Sequence, residues 1–482
     1  MKCFPDGGSV RRRGSLRRWR DPLFRRQVSS RTAVAVAASV VVVLSGALDS
    51  LAMERDGQEP DDVRHAQVDA WIDRELPTLL DVYRHLHANP ELSLEEEETS
   101  ALVAATLREV GYVVETGVGG YGVLGVLHNG AGPRLLIRGD MDALPVVEAT
   151  GLPYASRVRT TNSAGVTVGV MHACGHDVHV TNLLGTARLL AEIRDDWRGT
   201  LVILAQPAEE LGKGALHMIE DGLFDRIALP DHGIALHVDA GLQAGSIGYV
   251  SGWAAANVDL VKIKIHGRGG HGARPHEAID PIVMSAQLVM ALQTIVSRRV
   301  DPSESAVVTV GSIHGGAKSN VIPDEVKLEL TVRSYSNEVR ALLLTSIEEI
   351  AAANCEAFAC PRPPEVWIKP EYTPAMWNDP DLVQSGIEVF RRLLGNEKVL
   401  EISPTMTGED FGRYTRSRGF PTFLYRLGAV SHDRMEASLA GGEPLPSLHS
   451  SLFAPDAKLT IRTGIRSMSR LALSLLDRPT VD

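Results

Sequence analysis

Apolar residues change their spacing several times along this chain, and each change predicts an element. From about Val68 to Leu107 they recur every three to four positions among charged residues, through "WIDRELPTLLDVYRHLHANPEL" and then "EEEETSALVAATLREVGY", which predicts helix. Short apolar runs follow, each closed by polar residues: "RLLIRGDMD", "TLVILAQPAEE" and "GIALHVD". Helical stretches such as "VTNLLGTARLLAEIRDD" separate them. Buried strands alternating with helices predict an α/β layer with a largely parallel sheet.

After Gly252 the spacing shortens to two. In "VDLVKIKIHG", Val261, Ile263 and Ile265 fall on one side of a half-buried strand. A helix ("DPIVMSAQLVMALQTIVSR"), two strands ("SAVVTVGSI" and "EVKLELTVRS"), a second helix ("NEVRALLLTSIEEIAAA") and a last strand ("PEVWIKP") complete a β-α-β-β-α-β order. That order is ferredoxin-like. The α/β texture then resumes with helix "DLVQSGIEVFRRLL", strand-like "TFLYRLGA" and a final helix from Asp456. The expected organisation is one α/β domain in two parts, residues 66–253 and 371–476, with a small ferredoxin-like domain, 254–370, inserted between them. A length of 482 residues agrees with more than one core.

Charge adds a separate N-terminal segment. Residues 1–31 carry nine Arg and Lys2 against Asp6 and Asp21, and the apolar stretch Thr32–Ala52 has Asp49 as its one charge. A basic region, a short apolar core and Ser50-Leu51-Ala52 predict an export signal over residues 1–52, with cleavage after Ala52. Arg25-Arg26 is a weak twin-arginine cue. A membrane anchor is the lesser alternative, because the uninterrupted apolar run of ~12–17 residues is short for a span. The rest of the chain holds 39 Lys+Arg and 57 Asp+Glu, a balance of −18. That acidity argues against a nucleic-acid partner. No later stretch is long and apolar enough to cross a bilayer. Of the four cysteines, Cys355 and Cys360 stand five apart; if both are helical, their side chains cannot meet without breaking the helix.

The chemistry concentrates in "MHACGHDVH", Met171–His179, with three His, one Cys and one Asp in nine residues. In an open parallel sheet, ligands bind beyond the carboxyl ends of the strands. Asp140 and Asp142 follow "LLIRG", Glu209 and Glu210 follow "LVILAQPA", and His237 ends "GIALHV". Cys174 and His176 lie just before a helix expected near Val178. The sheet therefore gathers metal-capable groups on one rim. Each element has a plainer reading alone: a solvated acidic pair, a turn or cap, a surface His. Their joint placement at successive strand ends is what favours a metal site. A Cys nucleophile needs a His placed as its base, and His176 is too close in sequence to guarantee that. A structural zinc site wants closed Cys/His pairs, and no second Cys-x-x-Cys exists. No phosphate-binding loop follows a strand.

These blocks resemble the two-metal amidohydrolases of metallopeptidase family twenty: aminoacylase, hippurate hydrolase and the auxin–amino-acid-conjugate hydrolases. The resemblance runs from about Arg84 to the C-terminus. It is carried by "RHLHANPELSLEEEETS", "IRGDMDALP", "GVMHACGHDVH", "QPAEELGKGA", "IALHV", "GRGGHGARPHEAIDPI", "KSNVIPDEVKLELTVR", "GEDFGRY" and "LHSSLF". The block containing Cys174 points to the hippurate-hydrolase-like branch. The resemblance implies that Cys174, His176, Glu210, His237 and His449 ligate two divalent ions, with Cys174 the candidate bridge. It implies Glu209 as general base, and His271 as a group approaching the reacting carbonyl, often from the partner subunit. Asn320 and Arg333 would hold the carboxylate of the amino-acid half, and Asp142 would orient part of the site.

Thiolate, imidazole and carboxylate together suit Zn²⁺, Mn²⁺ or Co²⁺. Such ions activate water and polarise an amide carbonyl. Glu209 would take the proton of the attacking water and return it to the leaving amine. Arg333 suits a carboxylate because its fork binds two oxygens at once. The expected function is hydrolysis of small N-acyl amino acids or similar conjugates to a carboxylic acid and a free amino acid. The rivals are a dipeptidase or carboxypeptidase-like activity and a non-catalytic conjugate-binding protein. A homodimer through the inserted domain is expected. Four features depart from the branch: Gly139 replaces Ala, "HVDAG" lacks a Pro, Lys213 replaces Gly, and the loop Arg157–Val168 is a little long before the Cys block. His85, His87, His172, His179, Asp140, Glu409 and Asp410 stay without firm roles at this level.

Overall fold

The computed structural model describes residues 66–161 and 165–476. The expected export signal, residues 1–52, lies outside them. Among the described residues, no helix is long and apolar enough to cross a membrane.

The first helical pattern resolves into two helices, α1 (66–88) and α2 (Glu97–Glu109). On α1, Val68, Trp71, Ile72, Leu76, Leu79, Tyr83 and Leu86 share one face and are buried. The helix ends where Pro90 enters, since proline cannot donate to the helical ladder. The loop 89–96 is not passive filler. Glu91 accepts the N–H groups of Glu98 and Thr99 and so caps α2, while Leu94 takes a left-handed φ of 68°.

Among the described residues the chain forms eighteen strands and eleven α-helices. β1 (Val113–Val118), β2 (Gly122–Asn129) and β3 (Arg134–Asp140) precede a small hairpin, β4 (Arg159–Thr161) and β5 (Thr167–Gly169). Then come α3 (His176–Glu192), β6 (Gly199–Gln206), α4 (Gly214–Glu220), α5 (Leu223–Arg226), β7 (His232–Gln243), β8 (Ile247–Tyr249) and β9 (Gly252–Ala255). The inserted unit contains β10 (Asn257–His266), β11 (Gly270–His271), α6 (Pro281–Arg298), β12 (Ala306–Gly315), β13 (Val321–Ile322), β14 (Glu325–Ser334), α7 (Asn337–Ala357) and β15 (Glu365–Ile368). The chain finishes with β16 (Met376–Asn378), α8 (Pro380–Leu394), β17 (Val399–Glu401), α9 (Gly412–Arg418), β18 (Thr422–Val430), α10 (His432–Leu439) and α11 (Ala457–Leu475).

The large sheet has the order β1-β2-β6-β3-β7-β18-β8-β17. Its centre, β6-β3-β7-β18, is parallel, and β8-β17 is parallel again. The flanking pairs β1-β2, β2-β6 and β18-β8 are antiparallel. The hairpin β1–β2 is not among the elements expected from the pattern, although β2 carries the buried run "GVLGVL"; β1 is an exposed edge. One face packs on α1, α2, α3, α8 and α11. The approach of α3 to α11 requires Gly185: a Cβ there would lie 2.4 Å from Ile465 Cδ1.

The inserted sheet is antiparallel in the order β12-β14-β10-β15, the ferredoxin-like arrangement expected. Val261, Ile263 and Ile265 point with Val326, Leu328 and Leu330 toward Leu288 and Leu292 of α6 and Leu343 and Ile347 of α7. Asp280 and Ser336 cap these two helices through their side-chain oxygens. The other face of the sheet, bearing Val258, Leu260 and Arg333, lines a cavity shared with the large sheet. Cys355 and Cys360 form a disulfide with Cα atoms 5.3 Å apart. The helical objection to that pairing fails because α7 stops at Ala357, between the two residues.

Candidate metal centre and substrate pocket

The parallel strands deliver their carboxyl ends to one rim. β3 ends at Asp140 with Asp142 just beyond, β6 leads through Pro207 and Ala208 into Glu209 and Glu210, and β7 carries His237. The helix expected near Val178 starts at His176, so His176 lies in its first turn and Gly175 is the left-handed residue before it. Among the described residues, three of the four non-glycine positions with positive φ belong to this region: Leu94, Ala208 and His449. Strained backbone of this kind persists where its surroundings hold it, and the holders are visible. Glu96 Oε1 accepts the N–H of Ala208 at 2.8 Å. Asp142 accepts the N–H of Glu209 at 3.1 Å and of Glu210 at 3.0 Å, and the Ser93 hydroxyl donates to it at 2.6 Å. Two buried carboxylates therefore fix three successive peptide groups and aim the acidic pair. The His449 N–H donates to the carbonyl of Ala173 at 2.9 Å, beside Cys174.

Cys174 Sγ lies 3.5 Å from His237 Nε2. His176 Nε2 is 3.9 Å from both Glu209 and Glu210, and its Nδ1 is 3.3 Å from Asp142. His449 Nε2 is 3.5 Å from Glu210 Oε1. The donor atoms of Cys174, His176 and His237 lie within 4.8 Å of one another, as do those of Cys174, Glu210 and His449 and those of His176, Glu209 and Glu210. Hydrogen bonds sort the histidines. His237 Nδ1 donates to the carbonyl of Val238 at 2.7 Å, leaving the Nε2 lone pair toward Cys174. His179 Nε2 accepts the Val238 N–H at 2.9 Å, so its Nδ1 donates to Asp140 at 2.5 Å, and neither nitrogen is free. His176 Nε2 and Glu210 Oε1 are buried with no hydrogen-bond partner.

Burial drives the electrostatics. It pushes the Glu209 carboxyl well above its ordinary range, with Glu409 and Glu210 acting the same way. Burial likewise raises Glu210 to about 7 and lifts the Cys174 thiol. It lowers His237, a shift that His179 and Arg426 deepen. Acids held up and an imidazole held neutral, with orphaned atoms facing one space, form a donor set that fits divalent cations.

Two buried networks near this set were not assigned from sequence. Arg138, fully buried on β3, donates to Gln206 at 3.0 Å, Asp140 at 2.5 Å, Glu409 at 3.0 Å and Asp410 at 3.1 Å. Its signal in the chain is a lone cation inside the apolar run "LLIRG". His87 bridges Asp177 at 2.7 Å and Glu148 at 3.1 Å. Burial alone would lower its pKa, but the two carboxylates outweigh that and raise it to about 10.

A cavity of 470 Å³ opens between the rim and the open face of the inserted sheet, and Cys174, Glu209, Glu210, His237 and His449 line it. Arg333 lines the opposite wall with Val258 and Leu260. His271 and Asn320 are not among the lining residues; both are exposed on the β11–β13 ribbon, where the Gly272 N–H donates to the Asn320 carbonyl. Gly139 has a local reason: a Cβ there would sit 3.3 Å from Leu183.

An α/β sheet presenting thiol, imidazole and carboxylate donors beneath an inserted ferredoxin-like layer defines a class of hydrolase built around cations. The chain belongs to peptidase family M20/M25/M40, whose sequence profile matches residues 136–439. It is 40% identical over 337 residues to the N-acetyl-L-cysteine deacetylase of Bacillus subtilis, covering 70% of this chain and 77% of that one. It is 40% identical over 348 residues to the hippurate hydrolase of Campylobacter jejuni, covering 70% and 86%. Among solved structures it is similar to the YXEP protein of Bacillus subtilis, described as a dinuclear metal-binding peptidase, with a TM-score of 0.67, 29% identity and coverage of 84% and 99%.

Proposed function

We propose that this protein is a dinuclear metal-dependent amidohydrolase that cleaves N-acyl amino acids or related conjugates. The observation that carries the reading is the convergence of Cys174, Glu210, His237 and His449 on one cavity, with Glu209 beside them, Arg333 across from them and the buried His176 within 4.8 Å of Cys174 and His237 and of Glu209 and Glu210. The names of the deacetylase and hippurate hydrolase relatives support the same chemistry. Cys174, His176, Glu210, His237 and His449 would hold two divalent ions, Zn²⁺, Mn²⁺ or Co²⁺. The ions supply Lewis acidity toward an amide carbonyl and toward water.

The protein's own residues do the rest. Glu209, held proton-avid by burial, takes a proton from the attacking water and passes it to the amide nitrogen. The hydroxyl of that water ends on the acyl carbon, the C–N bond breaks, and the products are a carboxylic acid and a free amino acid. Asp142 keeps Glu209 and Glu210 aimed through their peptide N–H groups. Arg333 binds the carboxylate of the amino-acid half.

His271 and Asn320 would complete the site from a second copy of the chain. Their position on an exposed ribbon outside the cavity supports a homodimer, and so do the exposed Ile282, Val283 and Met290 of α6. The basic and apolar character of residues 1–52, and the paired Cys355 and Cys360, accord with export to an oxidising compartment.

A panel of N-acyl amino acids and dipeptides, assayed after chelation and re-addition of single metals, tests the reading. Acyl amino acids should be hydrolysed only with metal restored, and Glu209→Gln should retain metal and lose turnover. Faster hydrolysis of dipeptides would assign a dipeptidase; binding without turnover of any compound would assign a non-catalytic protein.

A further inference from the structure

The loop 145–158 contains no helix or strand, yet it reaches both halves of the donor set. Just before it, Leu144 and Met171 donate their N–H groups to each other's carbonyls at 3.0 Å, on the approach to Cys174. Ala149 then donates its N–H to the carbonyl of Ser451 at 2.9 Å, on the loop of His449. His449 itself takes a left-handed φ of 66°, and such backbone persists where neighbours hold it. The donor triplets on either side, Cys174–His176–His237 and Cys174–Glu210–His449, share the thiol. Two ions can lie side by side only if the start of α3 and the loop of His449 keep a fixed separation.

A buried cation anchors that loop. His87, in the last turn of α1, is 1% exposed. Its Nδ1 lies 2.7 Å from Asp177 and its Nε2 3.1 Å from Glu148. A carboxylate only accepts, so both ring nitrogens donate and the ring is an imidazolium. Further donors reach the same carboxylates: the Val178 N–H on Asp177 at 2.8 Å, the Ser156 N–H on Glu148 at 2.6 Å, and the Thr150 hydroxyl on Glu148. Burial would raise both carboxyls, but hydrogen bonding, that of His87 foremost, holds them below the usual range. Tyr83, Tyr154 and His172 are the other titratable side chains around the ring. Apolar side chains can fill such a space without loss of stability, so three buried charges call for another account.

We infer that His87 is a positioning residue for the metal centre: by holding Asp177 and Glu148 to one ring, it keeps the two donor triplets in register. Asp177 follows His176 in the first turn of α3. Glu148 precedes Ala149, whose N–H holds the loop of His449. Each carboxylate is thus joined to a segment that carries metal donors, and His87 acts through both. This rests on the two-metal reading above.

The test titrates Mn²⁺ into the chelated, folded protein and follows it by electron paramagnetic resonance. The parent should take up two ions and show the signal of a spin-coupled pair. His87→Gln removes the cation; Glu148→Ala cuts one arm and leaves His87 balanced by Asp177, so no buried charge is in excess should the first variant fail to fold. Both should weaken the second ion by about 10–100-fold, the usual scale for a group that orients a metal ligand, and lose the coupled signal in proportion. Leu288→Ala, in the core of the inserted unit, lowers stability without touching the network and should keep the pair. In the metal-free parent, nitrogen-15 NMR should find both ring nitrogens of His87 protonated at a pH of about 8, below the value of about 10 for this ring. A coupled pair that survives in His87→Gln and Glu148→Ala overturns the inference alone, as does a neutral His87 or an equal loss in Leu288→Ala. A parent that binds one ion or none overturns the two-metal reading and the inference with it.

Discussion

Glu96 lies beneath the site with 0% exposure. Its Oε1 accepts the Ala208 N–H at 2.8 Å, while its Oε2 has no partner. Burial, reinforced by the charge of Asp142, raises its carboxyl from 4.5 to about 7. The folded protein therefore holds this proton more tightly than the unfolded chain does. Between those two values the folded state carries more protons, so its stability falls as pH rises through the window. At 1.36 kcal/mol per unit the loss is about 3 kcal/mol, undiscounted because the group is fully buried. Glu96→Gln keeps an oxygen for the Ala208 N–H and cannot ionise. The variant should match the parent near pH 4.5, where the unfolded carboxyl titrates, and exceed its stability by about 3 kcal/mol near pH 8. Urea unfolding followed by tryptophan fluorescence, on both proteins after dialysis against chelator, measures the gap. A gap that stays constant with pH, or one that widens toward acid, refutes the reasoning.

Arg138→Met leaves Asp140, Glu409 and Asp410 buried without their cation; chemical unfolding should show a loss of about 3–5 kcal/mol, and a loss under ~1 kcal/mol would contradict the network. Gly175→Ala forces a side chain onto a φ of +80° and sets its Cβ 2.5 Å from Val238 Cγ2. It should cost about 2–4 kcal/mol in the same assay and lower metal content, since the residue sits between Cys174 and His176. Asp142→Ala frees the peptide groups of Glu209 and Glu210, and equilibrium dialysis should find metal affinity weaker by about 10–100-fold; unchanged affinity would mean that the acidic pair is held by other means.

Much of this molecule is legible in local spacing. The two-residue period of Val261, Ile263 and Ile265 sets which face of β10 meets α6 and α7, because strand side chains alternate whatever the strand pairs with. The order of strands and helices, the inserted unit and the donors at strand ends follow from such patterns and from residue type. Other features depend on which distant segments meet. Arg138 finds Glu409 271 positions away, and no period in either segment announces the other. His176 and His179 share one helix, yet the Val238 N–H occupies His179 and leaves His176 Nε2 without a partner. The same holds for Glu96 beneath Ala208, for the β1–β2 hairpin added at the sheet edge, and for the helix end that lets Cys355 reach Cys360.

The chain alone specifies which chemical groups are present and which side of each element they occupy, since both are properties of consecutive residues. Tertiary packing specifies which of those groups are spent on neighbours and which remain open to a ligand. That outcome arises from contacts between segments far apart in the sequence, where burial and hydrogen bonding choose the partner and the protonation state together.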